Sequence, residues 1–201
     1  MTDQAKIRQR IRQRRRALTS EQRHHAAHAV ANHIARFGAF QRAQRIALYI
    51  AFDGECDPAP LEVIAHERHK RCYLPILGDH GRTSMSFAPV SPDSRFQPNC
   101  FGIPEPVHRR TDRRSANQLD MILLPLVAFD AAGHRIGMGG GFYDRTLAFT
   151  KRRRPWRRPL LIGLAYDFQQ VARIKDNPWD VALDAIATPN DIITPPLPRR
   201  R

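Results

Sequence analysis

The chain has 201 residues, 42% of them hydrophobic, which suits one soluble globular domain able to bury roughly 70% of its unfolded surface. Its formal net charge of +14 points to anionic partners such as phosphates, polycarboxylates or nucleic acid, although a GC-rich genome accounts equally for the arginine bias. Three cysteines without a CxxC pair argue against a disulfide framework and a zinc site, and no apolar run approaches the ~20 residues that cross a bilayer.

In chain order, Ala5 to Ala17 is rich in good helix formers and predicts a first, basic helix. Thr19 followed by Gln22 reads as a capping box opening a second, with Ala26, Val30, Ile34 and Phe37 on its apolar face and Gly38 as its stop. His24, His25, His28 and His33 fall in that helix without a metalloprotease pattern and read as a solvated face. The apolar run Ile46 to Phe52 predicts a buried parallel strand. Asp57-Pro58 opens a helix reaching about Arg68. Cys72 to Leu77 and Ser84 to Val90 are further strands, and the proline-rich stretch Ser91 to Pro106 is expected to be largely loop.

Met121 to Phe129 is the most hydrophobic segment and predicts a central strand. A glycine-rich turn follows, then a helix over Phe142 to Phe149, a strand over Leu160 to Tyr166 and a last one over Ala185 to Thr188. Strands alternating with helices imply an α/β fold: a single three-layer domain over 1–194 with a mainly parallel central sheet. The Pro- and Arg-rich residues 195–201 are expected to be a disordered tail. The N-terminus is positive but lacks the apolar stretch of a secretory signal, so a cytoplasmic location is expected.

Four segments carry candidate chemistry. In Arg135-Ile136-Gly137-Met138-Gly139-Gly140-Gly141-Phe142-Tyr143-Asp144, glycines let the backbone approach a ligand closely, and successive N–H groups before a helix form an anion cradle. Arg135 adds a bidentate donor for phosphate, and Asp144 a hard oxygen ligand for phosphate-bound Mg²⁺. The segment is neither a P-loop nor a GxGxxG fingerprint, and the plainer reading is a tight strand-to-helix turn. The acidic turn Phe52-Asp53-Gly54-Glu55-Cys56-Asp57 could hold a cation or accept from a ring N–H, while Asp57 is also a good helix N-cap. Lys6 and Arg10 share one helical face within reach of a polyphosphate, or form a basic solvated face. Phe101 to Pro106 could line a pocket for a flat ring.

Taken in order, these segments resemble the 5-formyltetrahydrofolate cyclo-ligase family. The stretch Leu124 to Asp130, through Arg135 to Asp144, is similar to that family's signature. Phe52-Asp53-Gly54-Glu55 before Asp57, then Tyr73-Leu74-Pro75, Gly102-Ile103-Pro104-Glu105-Pro106 and the Lys6/Arg10 pair recur in the same order, from about Lys6 to Thr188.

The resemblance implies a fold like that of ribose-phosphate isomerase and the CoA transferases. It also implies ATP- and Mg²⁺-dependent conversion of 5-formyltetrahydrofolate to 5,10-methenyltetrahydrofolate, with ADP and phosphate released. Carried over by position, Lys6, Arg10, Arg135 and the segment Gly137, Met138, Gly139, Gly140, Gly141 and Phe142 would hold ATP. Asp144 and Asp184 would bind Mg²⁺. Phe52, Glu55, Ile103, Pro104, Glu105 and Tyr143 would contact the folate, with Arg135 and Tyr143 at the reacting atoms. A monomer acting on a small molecule, without membrane or specific nucleic-acid partners, is expected.

Many relatives carry lysine where Gly140 stands, and tyrosine is frequent at Phe142. Isomerase or transferase chemistry on the same fold would rest on Glu55 alone and leave the Arg135 to Asp144 segment unexplained. A basic nucleic-acid-binding protein is the other alternative, but neither a zinc finger nor aromatic RNP segments are present.

Overall fold

In the computed structural model, residues 3–77, 84–99, 102–152 and 159–196 are described. The first helix, α1 (Asp3–Ala17), is followed by α2 (Ser20–Arg36) and α3 (Gly38–Arg42). Thr19 and Gln22 form the expected reciprocal capping box at the start of α2. The break after α2 falls at Phe37 rather than Gly38. Phe37 adopts extended backbone and packs against the core, and Gly38 opens α3.

The main sheet collects β1 (Arg45–Ala47), β2 (Arg71–Leu77), β3 (Met85–Val90), β6 (Met121–Pro125), β9 (Leu160–Leu164), β10 (Ala185–Ala187) and β11 (Ile192–Ile193). Their order is β11-β10-β9-β6-β1-β2-β3, parallel throughout except for the antiparallel edges β3 and β11. α4 (Ala59–Glu67) lies between β1 and β2, and the Asp57 carboxylate accepts from the Ala59 N–H at 2.9 Å at its start.

Burial on both faces explains the unbroken apolar runs. Met121 and Leu123 face α2, α3 and α4, while Ile122 and Leu124 face the opposite core with Leu147, Val181 and Leu183. All four strand residues are fully buried. The helix carrying Leu147 is α5 (Phe142–Leu147), so helices flank both sides of the sheet.

Three expected elements differ. β1 is shorter than the apolar run: Leu48 still donates to Tyr73 O at 2.8 Å, and then the chain leaves the sheet for the turn at Phe52. The run Met121 to Phe129 is two strands, not one. β6 ends at Pro125 because the next carbonyls are taken by buried side chains: Gln169 donates to Leu126 O and Val127 O, and Arg15 to Leu126 O. The chain then enters a separate hairpin of β7 (Ala128–Phe129) and β8 (Arg135–Ile136). Finally, the stretch expected as loop contains a small antiparallel pair, β4 (Phe96–Pro98) and β5 (Pro104–Pro106). Its prolines are tolerated because each strand pairs on one side only.

α1 does not join the main core. Ile7 and Ile11 pack against Val127, Ala128, Ile136 and Ile174, which seats the basic helix on the β7–β8 hairpin. Burying Ile11 completely contributes about 1.5–3 kcal/mol to that seating. No helix among the described residues is long and apolar enough to cross a membrane. Of the residues expected to form a tail, 197–201 lie outside the described residues.

Candidate functional site

The turn beyond β1 is held from below by the basic helix. Asp53 takes a left-handed conformation (φ 52°) that directs its carboxylate at α1. Arg12 Nε reaches Asp53 Oδ2 at 2.6 Å, Arg16 Nε reaches Oδ1 at 2.6 Å, and Arg15 Nη2 lies 3.3 Å from Oδ2. Burial pushes the Asp53 carboxyl up, but the bonds from Arg12 and Arg16 outweigh it and hold the group below its ordinary range.

Arg15 is wholly buried and also faces Glu55, at 3.9 Å, while its Nε finds no partner. Burial raises the Glu55 carboxyl above its ordinary value, and the Phe52 N–H, 3.2 Å from Glu55 Oε2, together with Arg15, offsets this only in part. Phe52 itself is 62% exposed, an aromatic residue standing in water at the turn that carries Glu55. Burial drives the thiol of Cys56, like that of Cys72, to about 12, so neither is a nucleophile at neutral pH.

On the other side of α1, Arg8 Nε donates to Gly137 O at 2.8 Å and fixes the start of the glycine segment. Gly141 caps α5 in the left-handed region (φ 64°), where a side chain would be strained. Cβ positions at Gly137 and Gly139 face open space, so a ligand can approach the backbone there. Met138, between them, is 46% exposed. Arg135 Nη2 donates to Asp144 Oδ1 at 2.7 Å, and its Nη1 to Val181 O. The Val181 N–H donates to the same Asp144 oxygen at 3.1 Å.

Tyr143 follows the glycines in α5. It packs against the core beside Leu147, and its hydroxyl is pushed up first by burial and then by the Glu55 charge, with Arg135 opposing. The acidic turn and the glycine segment, far apart in sequence, are held against the same helix, α1, whose Arg15 faces Glu55 and whose Arg8 bonds Gly137 O.

The other expected residues are placed differently. Lys6 and Arg10 are exposed on the flank of α1 that carries Arg14, whose guanidinium sits 4.4 Å over the Phe168 ring. Arg8, Arg12, Arg15 and Arg16, which the sequence reading passed over, are the basic residues of α1 that meet the site. Ile7 and Ile11 marked the seated face, and Arg15, four residues beyond Ile11, was the available signal. Ile103 and Pro104 are exposed at the tip of the β4–β5 pair. Glu105 Oε1 accepts from Leu77 N and Asn99 Nδ2, both at 2.9 Å, and so pins that pair to the end of β2. Asp184 lies at the start of β10, where its Oδ2 accepts from Leu161 N at 2.9 Å. Among the described residues no group of three or more His, Cys, Asp or Glu side chains could hold a metal ion.

Comparisons with known proteins agree with one another. A model of the 5-formyltetrahydrofolate cyclo-ligase family matches residues 1–189. The chain is 37% identical over 184 residues to a 5-formyltetrahydrofolate cyclo-ligase of Escherichia coli strain K12, covering 90% of this chain and 98% of that one. It is 40% identical over 179 residues to the corresponding protein of Haemophilus influenzae, covering 88% of this chain and 92% of that one. Among solved structures, a 5,10-methenyltetrahydrofolate synthetase of Aquifex aeolicus superposes with a TM-score of 0.81 at 29% identity, covering 100% of this chain and 96% of that one. One from Mycoplasma pneumoniae does so with a TM-score of 0.71 at 26% identity, covering 94% and 99%.

Proposed function

Because the chain belongs to the 5-formyltetrahydrofolate cyclo-ligase family, we propose that it uses ATP and Mg²⁺ to convert 5-formyltetrahydrofolate to 5,10-methenyltetrahydrofolate, releasing ADP and phosphate. The observation that carries the reading is the seating of the Glu55 turn and the open glycine segment on one helix, through Arg15 and Arg8. A flat, partly charged ring and a polyphosphate can lie side by side there.

The chemistry follows from a poor leaving group. Ring closure requires the formyl carbon to lose its oxygen, and an amide oxygen does not leave unaided. Attack of that oxygen on the terminal phosphorus breaks the bond to ADP. N10 then attacks the activated carbon, the carbon–oxygen bond breaks with loss of phosphate, and the N10 proton departs. The protein's task is positioning, charge stabilisation and exclusion of water. The absence of a reactive thiol among Cys56 and Cys72 is consistent with that division of labour.

Phe52 and Ile103 offer exposed apolar surface for the folate ring, and Glu55, kept easy to protonate by burial, offers a hydrogen-bonding partner for its ring N–H groups. For the nucleotide, the geometry of α1 favours Arg8 over the expected Lys6 and Arg10, since Arg8 already touches Gly137. Asp144 fits a Mg²⁺ ligand: both its backbone and arginine contacts fall on Oδ1, which would leave Oδ2 to hold the ion. One or two carboxylates are the usual protein share for Mg²⁺ on a polyphosphate, the rest coming from phosphate and water. Bound there, the ion would neutralise phosphate charge. Asp184 is the second carboxylate proposed for it.

The test is absorbance of the purified protein with 5-formyltetrahydrofolate, Mg²⁺ and ATP. The methenyl product's near-ultraviolet band should appear only when ATP is present, together with ADP. Folded protein giving no band would overturn the substrate assignment.

A further inference from the structure

Arg135 and Arg145 flank the glycine segment, and the structure gives them different surroundings. The Arg135 side chain is 6% exposed, and both its terminal amino groups act inside the protein, on Val181 O and on Asp144 Oδ1. Arg145, exposed on α5, turns back over the segment. Its Nη2 donates to Gly140 O at 2.6 Å, and its guanidinium lies 5.3 Å from the centre of the Phe142 ring. Its Nη1 stands 2.7 Å from where a Cβ on Gly141 would be. The guanidinium thus lies over the backbone of Gly140 and Gly141, beside the open face at Gly137 and Gly139.

We propose that Arg145 is a second arginine, beside Arg135, that contacts the nucleotide's terminal phosphates. This rests on the reading that ATP is the co-substrate. A polyphosphate lying on the open glycine backbone needs a nearby cation, and α5, with only six residues, supplies little dipole of its own. A planar guanidinium can bond a carbonyl and an oxyanion at once, which suits a group already seated on Gly140 O.

Position 140, a glycine, carries no charge of its own. A Cβ there would lie 3.0 Å from the Phe142 ring, the ring on which Arg145 rests. Glycine at 140, phenylalanine at 142 and arginine at 145 therefore form one arrangement, in which the cation arrives from the helix rather than from the loop.

The experiment compares wild type with Arg145→Ala and Arg145→Lys in steady-state assays varying ATP and 5-formyltetrahydrofolate separately, with Mg²⁺-ADP binding measured by calorimetry. Loss of charge-assisted phosphate contacts should raise the KM for ATP and the Kd for ADP in Arg145→Ala by about tenfold to a hundredfold. The KM for the folate and the melting temperature should stay close to wild type, and lysine should restore part of the loss. Wild type that turns over while Arg145→Ala keeps its nucleotide KM and Kd within about twofold overturns the assignment alone. Wild type that binds neither ATP nor ADP overturns the functional reading, and this assignment with it.

Discussion

The guanidinium of Arg15 meets the carboxylate of Asp53 at 3.3 Å, with the arginine side chain wholly buried and the aspartate side chain 7% exposed. Arg12 and Arg16 converge on the same carboxylate, so a single acidic residue answers three arginines of α1. The Arg16 side chain is 61% exposed and adds little, but Arg15 has no comparable substitute, because Glu55 is 3.9 Å away. Asp53→Asn tolerates the left-handed backbone while deleting the charge. Stability should fall by about 2–4 kcal/mol in urea denaturation, with proteolysis within α1 accelerating as the helix loosens.

Acid should reveal the same contact. Asp53 and Asp130 both have folded-state carboxyls held below their ordinary value of 3.8. For Asp130, burial pushes upward but the His134 side chain and the Ile174 and His134 N–H groups prevail. Groups depressed in this way stabilise the fold above the unfolded value, and that stabilisation disappears as pH falls through the folded one. Stability should therefore hold down to about pH 4 and then decline. Asp53→Asn should show a shallower acid limb; an unchanged limb would mean the pair contributes nothing to the pH dependence.

Glu55 has the opposite sign. Its carboxyl is raised, so its stabilising share is complete below the ordinary 4.5 and is lost as pH rises through the folded value. Glu55→Gln should consequently leave the protein as stable as wild type, or more so, at neutral pH. Turnover should fall nonetheless, and most of the loss should appear in the KM for the folate. A variant that unfolds at pH 7 would show that the Arg15 contact outweighs burial.

The parallel sheet was legible because strands buried on both faces need unbroken apolar runs, as Met121 to Leu124 shows. Where the run ended was not legible. The Leu126 and Val127 carbonyls are claimed by Gln169 and Arg15, partners far away in sequence. The glycine segment stood out through its own composition, whereas the arginines that meet the site were hidden within a helix carrying many. Periodicity could rank them only once Ile7 and Ile11 were known to face the β7–β8 hairpin. Glu105 shows a further limit: its hydrogen bonds to Leu77 and Asn99, which hold the β4–β5 hairpin to β2, left no signal in the sequence.

The β7–β8 hairpin itself has a narrow tolerance at Gly133. Its φ of 86° disfavours any side chain, and an added Cβ would lie 2.8 Å from the Leu183 carbonyl, a backbone atom that cannot swing aside. Gly133 O also accepts from Leu183 N at 2.9 Å, so the strand carrying Arg135 is tied there to the segment leading into β10. Gly133→Ala should cost about 2–4 kcal/mol, the sum of left-handed strain and backbone collision. The melting temperature should drop well below that of Gly137→Ala, whose Cβ meets nothing within 4 Å.

Asp144 separates a structural role from an ionic one. Its Oδ1 receives both Arg135 Nη2 and the Val181 N–H, so Asp144→Ala leaves two donors without their acceptor and should lower stability by about 1–3 kcal/mol. Asp144→Asn keeps a carbonyl oxygen for Val181 and should recover most of that loss. If the carboxylate's second oxygen holds Mg²⁺, asparagine recovers no activity, because a neutral amide binds the ion far more weakly than a carboxylate. Turnover should then be below about one-hundredth of wild type in both variants, the loss expected when charge stabilisation of a phosphoryl group is removed. Raising the Mg²⁺ concentration should rescue Asp144→Asn in part. An asparagine variant with wild-type turnover at low Mg²⁺ would confine Asp144 to holding Arg135 in place.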